Sequence, residues 1–125
     1  MKSEKTILFL EDEKEFLTAV SGLLRDLGYE VIEAPTGEKA LELLKIKIPD
    51  LIIADIKLPG IDGFDFFSQI HKIDKYRRIP FIYLTAFNNL QAAMRAKSEG
   101  ATDYITKPFE LEYLIAKIGD ILPVK

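Results

Sequence analysis

Acidic side chains and one lysine stand at the ends of short apolar runs, where they could bind a divalent cation and a phosphate. Glu11 and Asp12 directly follow the run TILFL, and Asp55 ends the run LIIAD. Thr85 ends the run FIYLT, and Lys107 follows the last short run, YIT. Clustered carboxylates repel one another unless a cation lies between them. Oxygen ligands without histidine or cysteine favour Mg²⁺, Mn²⁺ or Ca²⁺ over zinc, and Mg²⁺ keeps positions for phosphate oxygens. This composition favours phosphoryl chemistry.

Five predicted strands alternate with five predicted helices along the chain. The strands are short apolar runs, and the helices show apolar residues at helical spacing. Short loops join them, and no linker or internal repeat interrupts the order, so we expect one α/β domain over residues 1–125 with a parallel sheet covered on both faces. The predicted strands cover 6–10, 29–34, 50–55, 80–85 and 101–106, and the predicted helices follow at about 16–27, 36–44, 64–70, 89–98 and 111–122.

In open α/β sheets, ligands bind beyond the carboxyl ends of the strands. The residues that could do chemistry all stand at such ends. Glu11 and Asp12 follow the first predicted strand, and Asp55 ends the third. Thr85 ends the fourth predicted strand, and Lys107 follows the fifth. We therefore expect them to meet at one edge of the sheet.

Four segments of the chain resemble the receiver domain of two-component response regulators. They are LFLEDE, IIADIKLPGIDGF, IYLTA and YITKPF, which occur in the family's order, each at the end of the corresponding strand. One such segment alone would be a weak signal, whereas four at matching intervals are specific. The resemblance covers the whole chain and implies a doubly wound (βα)5 fold with the flavodoxin-like strand order 2-1-3-4-5.

The resemblance also implies a phosphoacceptor and a magnesium site. Asp55 matches the aspartate that attacks phosphorus and forms an acyl phosphate, a known use of carboxylate nucleophiles. Asp12 matches the direct metal ligand, Glu11 the acid that acts through a metal-bound water, and the backbone carbonyl of Lys57 a further metal oxygen. The domain would catalyse only its own phosphorylation and dephosphorylation, so we do not expect an enzyme with a separate substrate.

Three further residues match the parts of the family that sense the phosphoryl group. Lys107 would pair with one phosphoryl oxygen and the Thr85 hydroxyl with another. Tyr104 matches the aromatic residue whose ring turns inward when the threonine moves. The Lys107–Pro108 peptide matches the family's cis bond, which directs the lysine back to the site.

The resemblance implies partners on both sides of the reaction. The phosphoryl donor would be a sensor histidine kinase or a phosphotransfer protein. The unknown downstream target would bind the predicted fourth helix, fifth strand and fifth helix. The predicted fourth helix has a thin apolar stripe, and limited burial makes such an element easier to shift; its residues are Leu90, Ala93, Met94 and Ala96.

The chain departs from the family pattern at three positions. Glu11 replaces the first acid of the usual pair of aspartates, which is tolerable because that acid acts through water. Lys57 and Phe87 flank the place from which a hydrolytic water must attack, and neither side chain is suited to orient that water. We therefore predict a comparatively long-lived phosphoryl group.

Three other functions fit the residues less well. A phosphatase of the haloacid dehalogenase type would have an aspartate two residues after the nucleophile, where this chain has Lys57. A flavodoxin would have a phosphate-binding loop after the first strand, where Glu11 and Asp12 would repel a phosphate. A phosphorylation-independent pseudo-receiver scaffold is the main alternative, although such domains normally lack part of the acidic pocket, the lysine or the acceptor. The single histidine, His71, falls in a polar segment, and we expect it to be solvated.

Composition sets limits on partners and location. The net charge is −3 and the pI is near 5.2, which does not favour direct binding to nucleic acid or to an anionic membrane. The absence of cysteine excludes disulfides and thiol catalysis and suits a reducing cytoplasm. The first apolar run ends at Glu11, too early for a signal peptide, and we expect a soluble cytoplasmic protein.

Overall fold

The computed structural model describes residues 4–123, in which five parallel strands form one sheet in the order β2-β1-β3-β4-β5. This confirms the predicted flavodoxin-like order. The strands are β1 (Thr6–Leu10), β2 (Glu30–Ala34), β3 (Leu51–Ala54), β4 (Phe81–Thr85) and β5 (Asp103–Thr106). The helices are α1 (Lys14–Asp26), α2 (Gly37–Ile46), α3 (Gly63–His71), α4 (Asp74–Arg77), α5 (Leu90–Ser98) and α6 (Leu111–Ile121).

Helices cover both faces of the sheet, because alternate residues of each central strand point to opposite sides. Ile7 and Phe9 of β1 face a cluster that contains buried residues of α1 and α6. Leu8 and Leu10 face a second cluster that contains buried residues of α2 to α5. The doubly wound architecture is therefore confirmed, and it leaves the carboxyl ends of the strands free to carry a site.

The segment after α3 differs from the prediction. The sequence predicts no helix between residues 70 and 80, but Asp74–Arg77 forms the short helix α4. The helical turn buries Tyr76, whose hydroxyl donates a hydrogen bond to the carbonyl oxygen of Leu44 at 3.3 Å. One buried aromatic residue among charged neighbours gives too weak a periodicity to reveal such a helix. The predicted fourth and fifth helices are thus α5 and α6.

Helix α5 buries less apolar surface than its sequence suggested. Only Ala92 and Ala96 are buried, while Leu90 is 76% exposed and Met94 is 62% exposed. The predicted apolar stripe is therefore wrong for the two large side chains, which point to solvent. Within residues 4–123, no helix is long and apolar enough to span a membrane.

Candidate functional site

Three carboxylates meet at the carboxyl edge of the sheet. Glu11 and Asp12 follow β1, Asp55 follows β3, and these strands are paired neighbours with Leu10 opposite Ala54. Each acid offers a carboxylate oxygen within 4.8 Å of the others. Glu11 is 1% exposed and Asp55 is 7% exposed, whereas Asp12 is exposed. The group is therefore anchored in the protein on one side and open to solvent on the other.

The backbone around Asp55 is fixed by close packing. The Asp55 amide donates to the carbonyl oxygen of Leu10 at 3.0 Å, and the Ile56 amide donates to Asp55 Oδ1 at 2.7 Å. At Gly63, the first residue of α3, a Cβ atom would lie 2.3 Å from the Asp55 carbonyl oxygen. A larger residue would thus force the loop after β3 away from the sheet. Sequence analysis missed this role, although a glycine at a helix start within the segment PGIDGF is a usable signal.

Lys107 is the cation of the site. Its ammonium Nζ lies 2.9 Å from Glu11 Oε1 and 3.5 Å from Asp55 Oδ2. The backbone amide of Lys107 donates to the carbonyl oxygen of Thr85, which ties the end of β5 to the end of β4. The Lys107–Pro108 peptide is cis, as the resemblance implied.

The electrostatic balance of the site is negative. Burial raises the pKa of Glu11, and the hydrogen bonds that its carboxylate accepts from Lys107 and from the Glu13 amide oppose that rise. One ammonium pairs with two of the three carboxylates, Glu11 and Asp55. A cation that prefers oxygen ligands would relieve the remaining repulsion between the carboxylates, and this set of carboxylate oxygens suits Mg²⁺.

Thr85 and Tyr104 are connected through Phe87. The buried Thr85 hydroxyl accepts a hydrogen bond from the Phe87 amide at 3.1 Å. The Tyr104 hydroxyl donates to the Phe87 carbonyl oxygen, and the Tyr104 ring lies beside Tyr83 with centroids 5.9 Å apart. Burial, reinforced by the charge of Asp55, raises the pKa of Tyr104. A movement of the loop after β4 therefore changes the surroundings of both side chains together.

Lys57 and Phe87, which sequence analysis placed beside the path of a hydrolytic water, contact each other. Lys57 Nζ lies 4.3 Å from the centroid of the Phe87 ring, within the range of a cation–π interaction. The pair connects the loop after β3 to the loop after β4. The role of the Lys57 carbonyl as a metal ligand stays a prediction.

His71 lies outside this arrangement at the end of α3. Its ring stacks on Phe67 with centroids 4.9 Å apart, and its Cε1 atom lies close to Gly100. The residue is partly buried, so the expectation that it is solvated is wrong. Stacking on a core aromatic residue explains its position without a chemical role.

Comparison with known proteins identifies the family. The family model for the response regulator receiver domain matches residues 7–119. The sensor histidine kinase CheAY of Helicobacter pylori is 37% identical over 90% of this chain and 14% of that protein. The transcriptional regulatory protein PdtaR of Mycobacterium tuberculosis is 38% identical over 91% of this chain and 55% of its own length. The solved structure of chemotaxis protein CheY4 of Vibrio cholerae matches with a TM-score of 0.89 and 30% identity, covering 96% of this chain and 100% of that chain.

The match extends across the fold and includes the segments that carry the acids and the lysine. The chain spans 14% and 55% of the length of the two curated relatives, so the similarity concerns only part of each of them. The strand order and the family model agree. This chain belongs to the response regulator receiver domain family of two-component signalling.

Proposed function

We propose that residues 1–125 act as one receiver domain that accepts a phosphoryl group on Asp55, with Mg²⁺, and switches its output surface as a result. The observation that carries this proposal is the convergence of Glu11, Asp12 and Asp55 around one possible cation position, with Lys107 opposite. Positioning and charge neutralisation are what phosphoryl transfer chiefly requires.

The reacting atom in this proposal is a carboxylate oxygen of Asp55. It attacks the phosphorus of the donor in line, forms an acyl phosphate, and the donor imidazole leaves with the electron pair of the broken P–N bond. Glu11, Asp12, Asp55 and the Lys57 carbonyl would hold Mg²⁺, with Glu11 acting through water. When bound, the ion supplies positive charge against the phosphoryl oxygens.

Lys107 and Thr85 respond to the new group. The phosphoryl group replaces one carboxylate charge by nearly two and adds acceptor oxygens. The Lys107 ammonium already lies 3.5 Å from Asp55 Oδ2 and would pair with one of the phosphoryl oxygens. The Thr85 hydroxyl accepts a hydrogen bond from the Phe87 amide and can also donate its own proton to another phosphoryl oxygen. A shift of Thr85 toward that oxygen would carry Phe87 with it, move the loop to which Tyr104 is bonded, and so favour one conformation of the output side.

The donor in this proposal is a sensor histidine kinase or phosphotransfer protein of the cytoplasm. A mainly apolar hollow of about 530 Å³ opens beside the site, lined by residues of α1 and of the loop before α6. Aromatic and apolar side chains are enriched in the cores of protein–protein interfaces, so this hollow suits a protein that docks beside the charged site before it transfers the phosphoryl group. The lining residues include Phe16, Ala86, Pro108 and Phe109.

The output surface in this proposal is formed by α5, β5 and α6. Leu90 and Met94 of α5 are exposed, and Tyr113 of α6 is 51% exposed. A cavity of about 390 Å³ between α5 and β5 is lined in part by Lys97 and Tyr104. Exposed apolar side chains on α5 and α6 are suited to bind a partner protein.

The proposed function is tested by intact mass after incubation with acetyl phosphate and Mg²⁺. We expect a gain of one phosphoryl group, which the variant Asp55→Asn loses while its far-ultraviolet circular dichroism stays unchanged. A folded wild-type protein without that gain would contradict the proposal and would support the phosphorylation-independent scaffold. Omission of Mg²⁺ is the second control and should slow the gain strongly.

A further inference from the structure

The ring of Phe16 is a third neighbour of the Lys107 ammonium, besides the two acids. Lys107 Nζ lies 4.1 Å from the centroid of the Phe16 ring. The same atom is 2.9 Å from Glu11 Oε1 and 3.5 Å from Asp55 Oδ2. A cation within about 6 Å of an aromatic centroid is attracted by the electron-rich face of the ring. The ammonium is therefore held by a ring as well as by carboxylates.

The Phe16 ring is itself held in a fixed place. It packs edge-on against Phe9, with centroids 6.3 Å apart, and against Phe109, with centroids 6.1 Å apart. Phe9 is fully buried in β1, and Phe109 follows the cis proline after Lys107. The row of three rings therefore connects the sheet, α1 and the loop before α6, and the Phe16 ring cannot turn without disturbing it.

A ring acts on a lysine differently from a carboxylate. Lysine has a flexible stem, so an ammonium group loses side-chain entropy when it is held in one place. A carboxylate holds the ammonium by cancelling its charge, and it competes with a phosphoryl group for the same N–H donors. An aromatic face attracts the ammonium while leaving its formal charge available.

From this geometry we infer that Phe16 is a positioning residue, whose ring keeps the Lys107 ammonium directed at Asp55 and ready to pair with the phosphoryl group. The inference rests on the proposed function for the identity of the group that Lys107 receives. It predicts that the aromatic face at this position, rather than its volume, is what matters.

Two variants separate these properties. Phe16→Leu removes the face and keeps an apolar side chain, whereas Phe16→Tyr keeps the face. Lys107 is labelled with an amine-reactive reagent in the absence of any phosphoryl donor, and the labelling is read by peptide mass spectrometry. It should rise about two- to thirtyfold in Phe16→Leu, which is the range that cation–π contacts cover from exposed to desolvated sites. With Mg²⁺, the dissociation constant for beryllofluoride, a phosphoryl analogue followed by ¹⁹F NMR, should rise by a similar factor. Phe16→Tyr should match the wild type in both measurements.

A matched control accounts for lost stability. Leu24→Val lies on the same helix, is fully buried, and should lower the thermal midpoint without changing either measurement. The inference is overturned if Phe16→Leu leaves labelling or beryllofluoride affinity unchanged, or if Phe16→Tyr behaves like Phe16→Leu. If the wild type binds no beryllofluoride, the proposed function fails instead, while the labelling of Lys107 still decides whether the ring holds the ammonium.

Discussion

At the scale of single residues, the site holds three carboxylates close together although their like charges repel. Glu11 and Asp55 are buried, Asp12 is exposed, and within residues 4–123 only Lys107 forms ion pairs with the two buried acids. Acids held together in this way store repulsion that a divalent ion can relieve. The repulsion destabilises the free domain, and in the proposed function it is relieved when the metal and the phosphoryl group bind.

Removal of one acid should therefore change stability in opposite directions with and without the metal. We expect Asp12→Asn to raise the thermal midpoint of the metal-free protein by roughly 1–4 °C, because one repelling charge is lost. It should also lose most of the stabilisation that Mg²⁺ gives the wild type, since ligands that bind only the folded state stabilise it. Differential scanning calorimetry with EDTA and with Mg²⁺ measures both effects.

Asp26→Asn is the matched control, since Asp26 is an exposed aspartate at the other end of α1. It should leave the Mg²⁺-dependent shift intact. An equal Mg²⁺ shift in wild type and Asp12→Asn would remove Asp12 from the metal site.

The contact between Lys57 and Phe87 supports a slow loss of the phosphoryl group. Their side chains meet between the loop after β3 and the loop after β4. In the proposed function, a water in line with the acyl phosphate would enter there. We expect the phosphorylated wild type to persist for many minutes, and Phe87→Ala to shorten its lifetime several-fold by opening that path. The decay of intact mass after removal of the donor measures both lifetimes. Loss of half the label within seconds in the wild type contradicts this prediction.

The residues that stand at strand ends could be predicted from the sequence, and those that act through packing could not. Asp12, Asp55 and Lys107 follow apolar runs whose parallel arrangement brings their ends together. Phe16 matters because its ring contacts the Lys107 ammonium, which belongs to a different element. No spacing in the chain encodes such a contact between separate elements.

At the scale of elements, α5 is more easily displaced than α1. It buries only two alanines, whereas α1 buries Leu17, Val20 and Leu24. Small buried area means little hydrophobic stabilisation, at about 25 cal/mol per Å². Sequence analysis predicted the limited burial of α5, although two residues of its predicted apolar stripe, Leu90 and Met94, are exposed. The reason is that periodicity shows which residues are apolar but not which face of a weakly amphipathic helix packs on the protein.

We expect backbone amides of α5 to exchange with deuterium faster than those of α1, and to change their exchange rate when beryllofluoride and Mg²⁺ bind. The reason is that local opening costs less where fewer apolar contacts break. Hydrogen–deuterium exchange with mass spectrometry measures both helices in one sample, so α1 serves as the internal control. Equal protection of the two helices, or an α5 that ignores the analogue, would contradict the proposed route to the output surface.

The same element also shows which side chains suit a test of the output surface. Arg95 pairs with Glu99 at 2.9 Å and lies over the Phe64 ring at 4.1 Å, so its substitution would disturb α5 itself. Met94 is exposed and lies on the same helix. We expect Met94→Glu to weaken binding of an output partner without changing phosphoryl uptake, and unchanged partner affinity in a pull-down titration would place the partner elsewhere.

At the scale of the whole molecule, the carboxyl edge of the sheet, where the strands end, and the opposite edge, where they begin, have different roles. The carboxyl edge holds the acids and Lys107. At the opposite edge, Glu30 Oε1 accepts hydrogen bonds from Lys47 Nζ at 2.6 Å and from the Thr6 hydroxyl at 2.9 Å. These contacts connect β1, β2 and the end of α2, and lower the pKa of Glu30, with the Lys47 hydrogen bond as the main cause.

This separation predicts that Glu30→Gln lowers stability without altering the chemistry. Because the folded-state pKa of Glu30 lies below its unfolded value, its contribution is fully present above the unfolded pKa of about 4.3 and is lost as pH falls through the folded pKa. The pair is about half exposed, so the expected loss in unfolding free energy is at most about 1 kcal/mol at pH 7. Urea unfolding from pH 7 to pH 3 should show the two proteins converging at the acid end, while acetyl phosphate labels both at the same rate at pH 7. A rate that falls together with stability would show instead that the two edges are coupled through the sheet.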